Sequence, residues 1–133
     1  MLTLHSSDRD TVLATCVRAL PNEGCGLLLG TADGEVREVV ASENVAASAK
    51  VYEIDPTVLL RAYRRADEGG LEVIGVFHSH THSEAYPSPT DVAQAPDATW
   101  HYVIVTFSHR PSELRSFQVV NDLVTEETVV VVE

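Results

Sequence analysis

Three of the six histidines in this 133-residue chain, His78, His80 and His82, lie within five residues of one another. They follow the apolar run 71–76, which is typical of a buried strand. Because side chains alternate between the two faces of a strand, His78 and His80 are predicted to project to the same side. Two imidazoles that face the same way at a strand end provide half of a metal site.

A third ligand for such a site is available further along the chain. A catalytic zinc ion takes three protein ligands and keeps its fourth position for water. Ser88 has the features of a helix N-cap and Pro89 suits the first helical position, so Asp91 is predicted at the third position of a short helix. The helix dipole favours a carboxylate there. Asp91 is therefore the candidate third ligand of a Zn²⁺ site that includes His78 and His80.

The water in such a site needs a group to handle its proton. Zinc lowers the pKa of bound water toward about 7, and an acidic side chain outside the ligand set can take the proton and pass it to a leaving amine. Glu23, just before the first strand of a predicted hairpin, is the most suggestive candidate by position. Spacing alone does not single it out.

Other reactive side chains have simpler interpretations. His82 would share the side of the two ligands if the strand continued, but the chain is predicted to have left the strand, which places His82 at the rim of the site. Glu84 is interpreted as a loop residue, and Cys25 as a buried packing thiol, because it has no clear base partner. His101 and His109 have no placed partners and are interpreted as structural or solvated.

The elements that must position these residues are helices and short strands. One amphipathic helix is predicted from a capping box of Ser7 and Asp10 up to Pro21, and a second from the N-cap Asp55 and the following Pro56. Their predicted inner faces consist of residues 12, 13, 16, 17 and 20, and of residues 59, 60, 63 and 66. Strands are predicted over residues 25–30, 35–40, 71–78, 100–107, 113–120 and 123–131. Turns are predicted at residues 32–34, 110–112 and 121–122.

This order of elements predicts an α/β sandwich, in which helices pack against a mixed β-sheet. No linker, repeat or low-complexity segment divides the chain, and its length is that of one domain. Residues 1–133 are therefore assigned to a single domain.

Composition and charge limit the partners of the chain. A net charge of −11 at pH 7 argues against binding to nucleic acid. No segment reaches the apolar length of a membrane helix, and the N-terminal residues lack the pattern of a secretory signal. Two cysteines are too few for a disulfide scaffold. We therefore expect a cytoplasmic protein with reduced thiols and no membrane partner.

Glu23, His78, His80, Ser88 and Asp91 follow one another in the pattern E…H-x-H-x10-D, with S-x-x-D at its end. This pattern resembles the motif of the JAMM (MPN+) metalloproteases, and the resemblance extends from residue 21 to the final strands. It implies the cytidine deaminase-like α/β sandwich of that family. It also implies that His78, His80 and Asp91 bind zinc, that Glu23 is the general acid and base, and that Ser88 stabilises the oxyanion.

Residues 81–88, 114–117 and 124–127 resemble a bacterial branch of this family, whose members act on ubiquitin-like sulfur carrier proteins. Those enzymes remove a cysteine built onto the carrier's C-terminal Gly-Gly, the last step of a thiocarboxylate-dependent cysteine synthesis. The implied partner is therefore such a carrier. Thr81 stands where many family members have proline, and the chain lacks room for the long insertions that grip ubiquitin in eukaryotic members. The sequence allows both a monomer and a homodimer.

Two other interpretations stay open. The chain could be a zinc isopeptidase or amidase that acts on another ubiquitin-like tag or on a small amide. It could also be a non-catalytic MPN scaffold, although a scaffold has no reason to retain all five motif residues. A zinc deaminase is excluded, because that chemistry requires H-x-E with P-C-x-x-C and the sequence contains neither.

Overall fold

The computed structural model describes residues 1–108 and 112–133. The helices in these ranges are α1 (Ser6–Ala19), α2 (Pro56–Glu68) and α3 (Pro89–Ala93). The strands are β1 (Leu2–His5), β2 (Cys25–Gly30), β3 (Val36–Ser42), β4 (Glu72–His80), β5 (His101–Thr106), β6 (Glu113–Val120), β7 (Leu123–Glu127) and β8 (Val129–Val132). The predicted order of helices and strands is present, with an added strand at the N-terminus and a division of the last predicted strand.

A six-stranded mixed sheet in the order β3-β2-β4-β5-β6-β7 forms the centre of the fold. Strands β4 and β5 are parallel, and the other neighbours are antiparallel. Side chains alternate along β2, so Leu28 packs in one core cluster with Val12 of α1, while Leu27 packs in another with Ala62 of α2. The two helices thus cover opposite faces, which confirms the predicted α/β sandwich.

Strand β4 lies between β2 and β5 in the middle of the sheet. Its residues from Val73 to His80 are all buried. The strand continues two residues beyond the predicted end at His78, so both histidines of the H-x-H pattern belong to it. The buried apolar run therefore leads directly into the predicted ligands.

The prediction for the N-terminus is wrong in two respects. Leu2–His5 form a strand that pairs in parallel with β8, and α1 begins at Ser6 immediately after it. The capping box of Ser7 and Asp10 is absent because the helix begins before Ser7, with His5 at the N-cap position and no side-chain cap hydrogen bond. Four residues are too few to give a clear strand signal, and the pairing partner lies at the other end of the sequence.

The predicted inner faces of the two long helices are partly wrong. Four of the predicted inner positions are exposed: Val17, Leu20, Leu60 and Tyr63. Helix α1 instead buries Thr15 beside the predicted Cys16, and α2 buries Ala62 beside the predicted Ala66. Small or polar side chains face the sheet at these places, and apolar periodicity alone gives them little weight. The predicted N-cap Asp55 is confirmed, since its carboxylate accepts a hydrogen bond from the Thr57 amide.

The last predicted strand divides at Thr128. Strand β7 pairs with β6, whereas β8 leaves the six-stranded sheet to join β1.

Two of the three predicted turns are confirmed. The φ angle is positive at Gly34 (92°), between β2 and β3, and at Asn121 (51°) and Asp122 (64°), between β6 and β7. The predicted turn at 110–112 and His109 fall on or next to residues 109–111, outside the described residues. No helix in the described ranges is long and apolar enough to cross a bilayer.

Candidate active site and metal centre

The predicted ligands meet at the carboxyl end of β4. His78 and His80 lie on one face of β4 at its last three positions, and they are 2% and 4% exposed. Asp91 belongs to α3, which follows the loop after β4 and returns to the strand end. Sequence alternation thus correctly predicts that the two imidazoles share one side, and the short helix brings the carboxylate to them.

The donor atoms of these three side chains are mutually close. The Nε2 atoms of His78 and His80 are 3.2 Å apart, and Asp91 Oδ2 lies 3.2 Å from the first and 3.0 Å from the second. Bonds of about 2.0 to 2.1 Å to a tetrahedral zinc ion place its ligand atoms about 3.3 Å from one another. Two imidazole nitrogens and one carboxylate oxygen at these separations therefore fit a Zn²⁺ ion.

The electrostatics of the cluster favour positive charge. Burial alone would lower the pKa of His80, but its contacts with Asp91 and the Glu84 carbonyl raise that pKa. Burial lowers the pKa of His78, although the nearby Asp91 opposes this shift. Burial alone would raise the pKa of Asp91, but its contacts with His78 and His80 and the Ser88 amide hold that pKa well below its usual range. A neutral His78 and an ionised Asp91 are the protonation states in which these groups bind a metal.

Two contacts orient the imidazoles, and neither was predicted. His80 Nδ1 lies 2.7 Å from the Glu84 carbonyl oxygen, which fixes Nδ1 as the donor and leaves the Nε2 lone pair for the cluster centre. The Tyr52 ring stacks on the His78 ring with centroids 4.3 Å apart. Glu84 is a loop residue as predicted, but its carbonyl, not its carboxylate, serves the site. A sequence contains no signal for a backbone carbonyl contact of this kind.

Helix α3 is capped as the sequence predicts. The Asp91 amide donates to Ser88 Oγ over 3.1 Å, and the Ser88 amide donates to Asp91 Oδ2 over 2.9 Å. The capping box thus holds the carboxylate oxygen that faces both histidines. Because Ser88 Oγ acts as the acceptor in this bond, its hydroxyl proton is left to donate elsewhere.

Glu23 is an acid buried without a hydrogen bond to one of its oxygens. The residue is 3% exposed, and Oε1 has no hydrogen-bond partner among the described residues. Burial raises the pKa of Glu23 to about 7, with His80 lowering it and Asp91 raising it further. Glu23 lines a cavity of about 460 Å³ together with His80 and Ser88. An acid with this pKa can both take and give a proton near neutral pH.

Hydrogen bonds to the backbone of Glu23 and Gly24 fix Glu23 relative to the histidines. Ser79, between the two predicted ligands, accepts a 2.8 Å hydrogen bond from the Gly24 amide at its Oγ, and its own amide donates to the Gly24 carbonyl over 3.0 Å. Asn44 Nδ2 donates to the Glu23 carbonyl over 3.0 Å. A Cβ on Gly24 would lie 2.6 Å from Cys16 Cα, so only glycine fits there. Sequence reasoning missed all three positioning residues, although Ser79 lies inside the motif.

The remaining candidates lie outside the ligand cluster. His82 is exposed at the rim of the same cavity, where its Nδ1 lies 2.9 Å from Thr81 Oγ1. Cys25 is buried, and burial raises the pKa of its thiol to about 12, which disfavours a nucleophilic role. His101 is buried against Glu127, which makes it a structural residue.

The family described as prokaryotic homologs of the JAB domain matches residues 5–120. The chain belongs to that family. It is 35% identical to the CysO-cysteine peptidase of Mycobacterium tuberculosis over 136 aligned residues, which cover all of this chain and 92% of the relative. It is 33% identical to a desampylase of Haloferax volcanii, with 77% of this chain and 78% of the relative covered.

A solved structure from Desulfitobacterium hafniense, protein DSY2949, superposes with a TM-score of 0.91 at 34% identity and covers all of this chain and 94% of that one. More distant JAB1/MPN-domain structures share the fold alone. These findings confirm the JAMM resemblance and the fold predicted from it. Since the relatives above are named as a peptidase and a desampylase, the chain is a hydrolase of the JAMM type.

Proposed function

We propose that the chain is a zinc-dependent peptidase that hydrolyses the peptide bond after the C-terminal Gly-Gly of a ubiquitin-like sulfur carrier protein and releases cysteine. The observation that carries the proposal is the convergence of three metal-binding donor atoms beside a buried, partly unpaired acid. The full-length similarity to a CysO-cysteine peptidase supports the substrate. The released amino acid would be the product of a thiocarboxylate-dependent cysteine synthesis.

The metal would be held by His78, His80 and Asp91, whose donor atoms all lie within 4.8 Å of one another. Zinc in this site would polarise the scissile carbonyl and activate a water molecule. The Glu84 carbonyl and Tyr52 keep the imidazoles in place for this purpose. The protein's contribution is therefore a preformed ligand set with oriented rings.

Glu23 would move the proton. Hydrolysis adds one water across the C–N bond: the hydroxyl goes to the glycine carbonyl carbon and a proton goes to the nitrogen of the departing cysteine. With a pKa raised to about 7, Glu23 can accept the water proton and then donate it to that nitrogen. Its burial in the same cavity as His80 and Ser88 supports this role.

Ser88 would stabilise the negative charge that develops on the carbonyl oxygen. Its Oγ accepts the Asp91 amide, so its hydroxyl proton can point into the cavity. A donor of this kind contributes about 3 to 4 kcal/mol to the transition state. The N-cap role and the oxyanion role are compatible, because they use different parts of the hydroxyl group.

Cleavage can be tested by mass spectrometry of a carrier that ends in Gly-Gly-Cys after incubation with the zinc-loaded protein. The expected result is loss of one cysteine, and Glu23→Ala is the control that should abolish it. No cleavage in a sample that contains one zinc per chain would overturn the substrate assignment and leave the metal site standing.

A second candidate substrate is an isopeptide between a ubiquitin-like tag and a lysine of another protein. The desampylase relative supports it. The same assay with an isopeptide-linked carrier distinguishes the two, because a cysteinyl peptidase is expected to cleave the linear C-terminal bond faster.

We further propose that residues 1–133 act as one domain in the cytoplasm. The two large core clusters both include strands β2, β4 and β5, which supports a single cooperative unit. A single calorimetric transition is expected, and two separate transitions would contradict it. Light scattering on the purified chain distinguishes the monomer from the homodimer.

A further inference from the structure

A lysine, Lys50, is among the described residues that line the cavity that contains Glu23. Its lining residues are Glu23, Ala49, Lys50, His80, Thr81, His82, Ser83 and Ser88. We call this space the leaving-group cavity. Lys50 is the only lysine in the sequence, and no arginine from the described ranges lines this space. In a chain of net charge −11, the position of its one lysine at the wall of the proposed site makes that residue a candidate partner for a negatively charged group.

Hydrogen bonds hold the segment that carries Lys50 against the site. The Ala49 carbonyl accepts from Thr81 Oγ1 over 3.1 Å, and Thr81 directly follows His80. The Ser48 carbonyl accepts from the Glu23 amide over 2.8 Å, and the Lys50 amide donates to Ser48 Oγ over 3.0 Å. The backbone before Lys50 is thus tied both to Glu23 and to the residue after a ligand. Its side chain is exposed and takes part in no ion pair within the described part of the chain.

A second cavity shares no lining residue with the leaving-group cavity and has a different character. Its volume is about 310 Å³, and it is lined mainly by apolar side chains that include Leu27, Tyr52, Ile54 and Trp100. Tyr52 joins it to the cluster by stacking on His78. Glu23 lines only the leaving-group cavity. Because Glu23 gives its proton to the departing amine, the amine is expected to leave on the side where Lys50 lies.

Covalent geometry decides which leaving group can use this cation. In a C-terminal amino acid the carboxylate carbon is two bonds from the amine nitrogen, about 2.5 Å away. In an isopeptide the amine is the end of a lysine side chain, and four methylene groups separate it from its own backbone. Only the first kind of leaving group carries a negative charge beside the nitrogen that Glu23 protonates.

We propose that the Lys50 ammonium binds the α-carboxylate of the departing residue and so selects a free C-terminal amino acid over an isopeptide. This inference rests on the proposed peptidase function and adds the group that recognises its leaving product. The contact is a hydrogen-bonded ion pair at the cavity mouth, where solvent weakens it, so its expected effect is about tenfold.

The test compares two carriers that end in Gly-Gly-Cys, one with a free C-terminal carboxylate and one with a carboxamide. The zinc-loaded wild-type protein is expected to cleave the carboxylate form with a kcat/KM about tenfold higher. Lys50→Met should lower kcat/KM for the carboxylate form to that of the carboxamide and leave the carboxamide rate unchanged. Arg64→Met is the matched control, because Arg64 is an exposed cation on α2 outside both cavities, and it should keep the wild-type preference.

A binding measurement gives a second readout. In a Glu23→Gln background, calorimetry should show tighter binding of the carboxylate carrier than of the carboxamide, and Lys50→Met should remove the difference. Equal cleavage of both carriers by the wild type, or a preference that survives in Lys50→Met, would overturn the inference while the peptidase function stands. If neither carrier is cleaved, the peptidase proposal fails, and the binding comparison still decides the role of Lys50.

Discussion

His101 and Glu127 form a second buried pair of histidine and carboxylate, separate from the one at the end of β4. His101 begins β5 and lies opposite Gly75, whereas His80 ends β4 and lies opposite Thr106. The two clusters therefore occupy opposite ends of the same parallel strand pair. Both place imidazole nitrogen against carboxylate oxygen in the interior, so residue type and burial do not distinguish them.

The difference lies in what each cluster leaves unsatisfied. Glu127 Oε2 lies 2.6 Å from His101 Nδ1 and accepts from Ser116 Oγ over 2.7 Å. Glu127 Oε1 has no hydrogen bond within the described ranges, but the N-terminal ammonium lies 2.9 Å away and neutralises its charge. In the other cluster three donor atoms face one point, and within the described ranges Glu23 Oε1 beside them has neither a hydrogen bond nor an ion pair. A closed network stabilises a fold, whereas convergent groups without partners are typical of a binding site.

Removal of the metal should produce the largest difference in behaviour between the two clusters. Chelation is expected to reduce cleavage to background, and zinc at one hundred times its dissociation constant should raise the free energy of unfolding by about 2.7 kcal/mol. Metal analysis should find one zinc per chain in the wild type and none in His80→Ala. His101→Gln should retain both zinc and activity, and loss of zinc in that variant would contradict the comparison.

Glu23→Gln should lower kcat by about 10² to 10⁴ without loss of zinc, because the amide cannot carry the proton between water and the leaving amine. Rapid-quench or mass-spectrometric rates, paired with metal analysis, measure this. The variant should unfold at the wild-type temperature or above, since a neutral side chain replaces a buried acid. Unchanged turnover would assign the proton transfer to another group.

Ser88→Ala should lower kcat by roughly 10² to 10³ through loss of the oxyanion contact. Loss of the N-cap should also cost about 1 kcal/mol of stability, which thermal unfolding measures. Ser88→Thr keeps a hydroxyl and should restore most of both. A stability change without a rate change would reduce Ser88 to its structural role.

Glu127→Gln should change stability and leave activity intact, with a loss of about 1 to 3 kcal/mol at neutral pH. Burial alone would raise the pKa of Glu127, but its contacts with His101, Ser116 and the N-terminus lower that pKa from 4.5 to about 2. The stabilising contribution is therefore complete above pH 4.5 and is lost as the pH falls toward 2. Denaturant unfolding at several pH values should show the wild type and the variant converging in acid. A difference in unfolding free energy that stays the same at every pH would show that ionisation of Glu127 is not its cause.

Much of the fold follows from local patterns in the sequence. The buried run before His78, the Asp55 cap and the turns at Gly34 and Asn121 all act over a few residues, and each was correctly predicted. The pairing of β1 with β8 joins the two ends of the chain, and no local pattern indicates it. Helix α2 faces the sheet with Ala62 because of how it packs there. Hydrophobic periodicity carries no information about that packing.

The site also has a part that local sequence patterns predict and a part that they do not. Strand alternation and the capping box at Ser88 predict how the donor atoms of His78 and Asp91 come together, and the motif adds Glu23. The contacts that fix these groups use a backbone carbonyl at Glu84 and a ring at Tyr52. Such contacts depend on how loops return to the strand end, and many sequences could supply them.

The close approach of Gly24 to Cys16 has a consequence for how this protein tolerates variation. Glu23 is buried, and the backbone of the following Gly24 is pressed against Cys16 in the C-terminal half of α1. Enlargement of Cys16 would displace that segment and with it the acid, even though Cys16 touches no substrate. A library screened for turnover would therefore mark positions inside α1 as sensitive, and an attempt to improve the enzyme by repacking this helix would alter its chemistry together with its core.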